Sequence, residues 1–189
     1  MEPAAVLQLQ HYPASVVPTM RDELIAVHVD ARAELLDQPF YSAERFWERF
    51  EGYLQGPGFD LVTGRLGGHL VGYAFGSTLP ADTRWWSGIE GADPNLTEET
   101  GNRTFAFREI LVRKAFQHRG YAHQLHNELL ANRSEERATL LVRGDNPARL
   151  LYARWGWSQV GFLQPYPDSP RFESMVLPLN HNRADQGKT

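Results

Sequence analysis

The turn Gln117-His118-Arg119-Gly120-Tyr121-Ala122 constrains this chain more than any other stretch. Before it, Thr104–Val112 has the apolar and aromatic run of a strand. After it, Tyr121 to about Asn132 has the spacing of a helix. Ala138–Val142 follows as a further strand, nearly all apolar, as expected of a strand covered on both faces.

The rest of the chain reads in the same alphabet. A short strand is expected at Val6–His11, and Leu24, Val27, His28, Ala31 and Leu35 recur at helical spacing across Thr19–Leu36. Pro39 interrupts. Ser42 offers an N-cap to a second helix reaching about Leu54, with Phe46, Phe50, Tyr53 and Leu54 on one stripe. Gly56-Pro57-Gly58 ends it. Phe59–Leu66 and His69–Ser77 then form a hairpin across Gly67-Gly68. Pro147 starts a helix that stops before Gly156, and Ser158–Phe162 and Glu173–Leu179 close the pattern as strands. The order predicts an α/β (α+β) fold: a single domain over 1–179, with a mixed β-sheet of about six or seven strands flanked by about four helices. The polar residues 180–189 read as a flexible C-terminal tail.

Composition narrows the function classes. With 42% apolar residues the chain can bury a substantial core, and 189 residues fit one domain. The net charge is −4 and the basic residues are scattered, so the concentrated basic surface of a nucleic-acid binder is absent. No apolar run approaches the roughly 20 residues needed to span a bilayer. The first residues lack the pattern of an export signal, so a cytoplasmic location is expected. On that basis the glycosylation-type triplets at Asn95, Asn102 and Asn132 and the Arg143-Gly144-Asp145 tripeptide are chance matches. The chain has no cysteine, which excludes disulfides, thiolate metal ligands and a thiol nucleophile.

The turn itself has the chemistry of an anion site. A helix N-terminus presents unsatisfied N–H groups and the positive end of its dipole. Gly120 lets the backbone approach a ligand, Ala122 keeps the first helical turn small, and Gln117 and Arg119 add side-chain donors. The alternative is an ordinary strand-to-helix turn that uses glycine for its φ angle. The sequence here lacks both Gly-x-Gly-x-x-Gly and the Gly-Lys-Ser/Thr of nucleotide folds.

Three elements in order decide between these readings. Gln117-x-x-Gly120-x-Ala122 resembles the (Gln/Arg)-x-x-Gly-x-(Gly/Ala) signature of the GNAT superfamily of acyl-CoA-dependent N-acyltransferases. Glu109-Ile110-Leu111-Val112, just before it, resembles that family's central strand. Asn146-Pro147-Ala148-Arg149-Leu150-Leu151-Tyr152 with Gly156-Trp157, some way after it, resembles the family's Asn-x-x-x-x-x-Tyr-x-x-x-Gly-Phe helix. The match covers about a third of the chain and departs from the family pattern at Gln117, for Arg, and Trp157, for Phe.

The resemblance implies acetyl-CoA as acyl donor. It implies a pyrophosphate cradle of Gln117, His118, Arg119, Gly120, Tyr121 and Ala122. It also implies that the strand at Ile110, Leu111 and Val112 splays from its neighbour and pairs with the pantetheine amides, with Asn146 and Arg149 adding contacts. The reaction it implies is N-acetyl transfer to a primary amine, with a small-molecule acceptor expected. A protein or peptide amine is an alternative acceptor, and a non-catalytic acyl-CoA-binding module is an alternative function. A homodimer is compatible with the chain, and no metal is expected.

Two residues are candidates for the proton transfers this reaction needs. Glu109 shares a strand face with Phe105, Phe107 and Leu111, apolar surroundings of the kind that tune a carboxyl group for service as a base. The alternative is an ion pair with an arginine, although the adjacent Arg108 points to the other face. Tyr152 lies on an expected inward stripe with Ala148, Leu151 and Trp155, as a core aromatic or, as the resemblance implies, as the acid that protonates the departing thiolate. Asn146 reads equally as an N-cap.

Other clusters carry less. His118, His123 and His126 lie close together but lack a carboxylate motif such as His-Glu-x-x-His, so they are expected at the surface rather than on zinc. Residues 78–103 form a long polar loop in which Asp82, Glu90, Asp93, Glu98 and Glu99 outnumber Arg84. It would attract a cationic amine through its acids and Trp85-Trp86, or else pack that Trp pair on the core. Phe40, Tyr41, Phe46 and Trp47 are the other candidates to line an acceptor pocket.

Overall fold

The computed structural model describes residues 6–179. Among the described residues seven strands are found: β1 (Gln8–Tyr12), β2 (Asp60–Leu66), β3 (His69–Thr78), β4 (Thr104–Val112), β5 (Arg137–Arg143), β6 (Ser158–Leu163) and β7 (Phe172–Pro178). They are hydrogen-bonded in the order β1-β2-β3-β4-β5-β7-β6. Four α-helices accompany them: α1 (Arg21–Ala31), α2 (Ala43–Tyr53), α3 (Tyr121–Leu130) and α4 (Ala148–Arg154). The sheet is mixed, as expected: β4 and β5 run parallel, whereas β1–β2, β2–β3, β5–β7 and β6–β7 are antiparallel. A parallel pair needs a crossover, which α3 supplies. Among the described residues no helix is long and apolar enough to cross a membrane. The expected tail at 180–189 lies outside the described residues.

Contacts gather the chain into two compact units, one up to Ser77 with Arg108–Ala131 and the other Thr78–Phe107 with the segment from Asn132. In the first unit, α1 and α2 cover one face of β2 and β3. Leu24 and Val27 of α1 and Phe46, Trp47 and Phe50 of α2 meet Leu61, Leu70, Tyr73, Phe75 and Leu111 in one core. The alternation Leu61, Tyr73, Phe75 and Leu111 follows the two-residue strand period. The Phe50 and Phe75 rings are 4.2 Å apart, and burying each such ring stabilises by about 1.5–3 kcal/mol. The hairpin forms where expected: Leu66 pairs His69, and Gly67 and Gly68 take φ 53° and 83°, the positive values a two-residue turn demands. Ser42 caps α2 by accepting from the Arg45 amide at 3.2 Å. Helix α1 is shorter than its apolar spacing predicts. Arg32 leaves the helical region at φ −112°, ψ 18°, and Ala33–Leu35 continue as a tighter 3-10 turn. Helix α3 stops at Leu130, two residues early, because Ala131 turns extended and Asn132 takes φ 58°.

In the second unit, β5 pairs β7 along its whole length, from Arg137↔Pro178 to Arg143↔Phe172. Leu79, Trp86, Ala106 and Val176 form its core, with Trp85, Ile89, Leu96 and Val160 packed against them. The β4–β5 ladder comprises Thr104↔Arg137, Phe105↔Ala138 and Ala106↔Thr139, one third of the nine residues of β4.

Candidate active site

The turn after β4 is built to leave amides open. Lys114–Phe116 make one 3-10 turn, and residues 117–120 are exposed before α3 begins. Gly120 N-caps α3 in the left-handed region, at φ 78° and ψ 2°, and no side chain caps the helix. A Cβ at Gly120 would meet nothing within 4 Å, so the backbone conformation rather than crowding requires glycine there. The amides of Tyr121, Ala122 and His123 have no acceptor within the helix. With the positive end of the α3 dipole they can hold a diphosphate. Two basic side chains flank them: His118, itself at φ 61°, and Arg119, whose guanidinium lies 5.6 Å from the Phe116 ring centroid. Gln117 braces the turn, donating from Nε2 to the Val112 carbonyl at 3.0 Å. Leu111 and Val112 bury their side chains and Ile110 is half-buried, so Leu111 and Val112 can meet a ligand only through backbone groups.

Glu109 is half-buried on β4 and accepts a hydrogen bond from the Tyr73 hydroxyl at 2.8 Å. Burial first, then the Glu109 charge, push the Tyr73 phenol well above its ordinary 10.0. It therefore remains a donor. No ion pair joins Glu109 to an arginine among the described residues; Arg108 instead lies with its guanidinium 4.5 Å from the Tyr53 ring centroid. His28, 1% exposed, also lies within the field of Glu109. Its Nε2 donates to the Tyr41 carbonyl at 2.8 Å, and its ring stacks on Phe46 at 4.1 Å. Burial lowers its pKa below 6.5. Sequence reasoning placed His28 on the buried stripe of α1 but gave Tyr73 no role. The strand period assigns Tyr73 and Glu109 each to a face of its own strand, and only the register between β3 and β4 brings them together.

The remaining candidates lie in the second unit. Tyr152 is buried on α4, with its ring edge-on to Trp155 (5.7 Å) and Trp157 (6.2 Å). Phe107 extends this aromatic group through Trp157. The expected inward stripe is corrected at one position: Leu151 is 43% exposed. A helix of seven residues buries a narrow face, and a residue next to Tyr152 lies about 100° around the axis from it. Asn146 acts as a cap, its Oδ1 accepting from the Ala148 amide at 2.9 Å. Arg149 forms an ion pair with Glu173 at 3.4 Å.

Two acids of the long loop are engaged in ion pairs. The Trp86 indole donates to Glu99 at 2.9 Å, Glu99 pairs Arg137 at 3.1 Å, and Glu90 pairs Arg171 at 2.6 Å. The Trp pair packs on the core, the second of the two expected outcomes. Of the three histidines expected at the surface, His118 and His123 are exposed, but His126 is 4% exposed and bonds Asn127. His126 lies three residues before the buried Leu129, so the two share the inner face of α3. No group of His, Asp and Glu among the described residues is arranged to hold a metal ion.

Comparison with known proteins completes the description. The model of the acetyltransferase (GNAT) family matches residues 23–157. No curated protein matches significantly. Several solved structures share the fold. The ribosomal-protein-S18-alanine N-acetyltransferase from Escherichia coli superposes with a TM-score of 0.58 at 16% identity, over 95% of this chain and 98% of that one. An aminoglycoside N-acetyltransferase solved with CoA gives 0.59 at 14% identity, over 88% and 97%. The loading GNATL domain of CurA from Lyngbya majuscula gives 0.65 at 12% identity, over 93% and 99%.

Proposed function

The chain belongs to the acetyltransferase (GNAT) family, and from that premise we propose that it moves the acetyl group of acetyl-CoA to the primary amine of a small molecule. The observation that carries this reading is the open, uncapped start of α3 at left-handed Gly120, directly after the strand that bears Glu109. The donor supplies a thioester carbonyl carbon. The turn Gln117–Ala122 holds its diphosphate, and the backbone of Ile110–Val112, beyond the three residues of β4 that pair with β5, offers amides and carbonyls to the pantetheine.

The acceptor nitrogen attacks directly in a ternary complex; with no cysteine in the chain, no cysteine-linked acyl intermediate forms. An alkylamine is mostly protonated at neutral pH, its pKa being about 10.4. Glu109 takes the proton that the nitrogen must lose, while the Tyr73 hydroxyl holds one of its oxygens in place. As the C–N bond forms and the C–S bond breaks, Tyr152 gives a proton to the departing thiolate, and the second proton shed by the nitrogen makes good that loss through solvent. The motif position supports that role, and burial keeps its ring orientation defined. Asn146 precedes the same helix and Arg149 lies in its first turn.

The test is release of free CoA thiol from acetyl-CoA across a panel of amines and short peptides. Thiol release that depends on a small amine supports the proposal; tight CoA binding with no release by any acceptor overturns it. Tyr152→Phe should lower kcat at least about tenfold with little change in CoA affinity. An unchanged kcat removes Tyr152 as the acid.

A further inference from the structure

Two guanidinium groups beside the turn Pro39–Tyr41 lack the counter-charge that similar groups have elsewhere. Arg65 is matched by Glu23 at 2.8 Å, Arg133 by Glu135 at 3.0 Å and Arg137 by Glu99 at 3.1 Å. Arg32 and Arg49 are half-buried, as Arg65 is, yet neither meets a carboxylate among the described residues. The short 3-10 turn Pro39–Tyr41 holds both. Arg49 donates to the Phe40 carbonyl at 2.7 Å, with its guanidinium 3.9 Å from the Phe40 ring centroid. The Arg32 guanidinium lies 5.8 Å from the Tyr41 ring centroid, and its buried Nε has no hydrogen-bond acceptor.

The same turn meets a third unsatisfied group. His28 uses Nε2 as donor to the Tyr41 carbonyl, so its neutral tautomer leaves Nδ1 as an acceptor, and that atom is buried without a partner. His28 and Arg32, four residues apart at the end of α1, share a helix face. His28 lies within the field of Glu109 as well as of Arg32 and Arg49. So does Tyr73, which bonds Glu109. One cluster therefore holds two uncompensated cations, one empty acceptor for an N–H, and one carboxylate.

We propose that the acetyl acceptor is an amino acid, in the broad sense of a small molecule with an amine and a carboxylate, and that Arg32 and Arg49 bind its carboxylate. The amine end lies toward Glu109 and His28 Nδ1, so the proposal rests on the reading of Glu109 as the base. The charges match end to end. Planar guanidinium groups suit a carboxylate through paired, charge-assisted hydrogen bonds. An acceptor that carries only positive charge would instead leave both arginines uncompensated in a partly buried place, which is costly.

The test compares kcat/KM for acetylation of glycine, β-alanine, γ-aminobutyrate and the protein amino acids. Each is set against its carboxamide and its decarboxylated amine, with acetyl-CoA as donor and the intact protein. The acids should be preferred at least about tenfold, the effect of one charge-assisted contact. Arg32→Gln and Arg49→Gln should each erase that preference while CoA still binds, which also reports that the variants fold. Equal use of acid and amide, preference for the decarboxylated amines or for peptides, or turnover of none of the acids overturns the proposal. Should a variant not fold, the wild-type comparison decides alone. Failure of the Glu109 reading is separable: Glu109→Gln would then keep its rate while the preference for acids, and its loss in the arginine variants, persisted.

Discussion

The contact between Tyr73 and Glu109 joins residues 36 positions apart, on neighbouring strands of one unit. Its two ends are unequal. Tyr73 is fully buried and has no water to turn to, whereas Glu109 is half-buried and keeps a second oxygen for other work. Tyr73→Phe deletes the hydroxyl with its hydrogen bond and keeps the ring among Phe75 and its neighbours. That change should cost about 1–2 kcal/mol of stability, read as a lower urea midpoint. It should also reduce the rate of acetyl transfer with CoA affinity unchanged. A variant as stable and as fast as the parent would show that water replaces the hydroxyl at no cost. Neither the pairing nor the accompanying His28–Tyr41 contact was legible in the sequence. Strand periodicity assigns a face to each residue, but the register between β3 and β4, and the path of the chain after α1, decide which residues on that face meet.

Elements were legible wherever hydrophobic period and glycine punctuation agreed. Helix α2, the Gly67-Gly68 hairpin and the strand–turn–helix around Gly120 lie where the pattern predicts, within a few residues, and α1 begins there but ends at Ala31. The misses have a common cause: helix ends and short helices are decided by neighbours as much as by spacing, as at Arg32 and Leu151. Two glycines separate the possible reasons for a glycine. At Gly120 the reason is backbone conformation together with access, since space is open around it. Gly120→Glu should place a negative side chain where the diphosphate is proposed to sit, and raise the dissociation constant for CoA more than about tenfold in a calorimetric titration. Undiminished affinity would remove the turn from the donor site. At Gly72 the reason is crowding. A Cβ there would stand 2.7 Å from the Leu111 carbonyl oxygen, a backbone atom that cannot swing away. Gly72→Ala should therefore push β3 from the end of β4, cost about 1–3 kcal/mol by chemical denaturation, and lower activity along with it.

At the scale of the molecule, buried histidines make stability depend on pH in a definite direction. Burial lowers the pKa values of both His28 and His126 below 6.5. The folded chain thus keeps them neutral while the unfolded chain takes up protons. Their contribution is complete above pH 6.5 and is lost as the pH falls from there toward their folded values. The urea midpoint should decline as the pH falls below 6.5, and His28→Gln should make that decline shallower. Identical slopes would mean that His28 charges in the fold without penalty. The same histidine shows where sequence alone stops. The order of elements, the class of the sheet and the anion-binding turn after Val112 are local properties: each is written in a contiguous run whose period, caps and glycines specify it. They suffice to place the chain in its family and to say where the donor is proposed to sit. The surroundings of Glu109 are a different kind of fact. Tyr73, His28, Arg32 and Arg49 reach one cluster only because β3, α1, α2 and the turn at Pro39–Tyr41 fold onto the same sheet face, and no local period encodes which side chains such packing brings together. The proposed acceptor end of the reaction was therefore left to the tertiary structure.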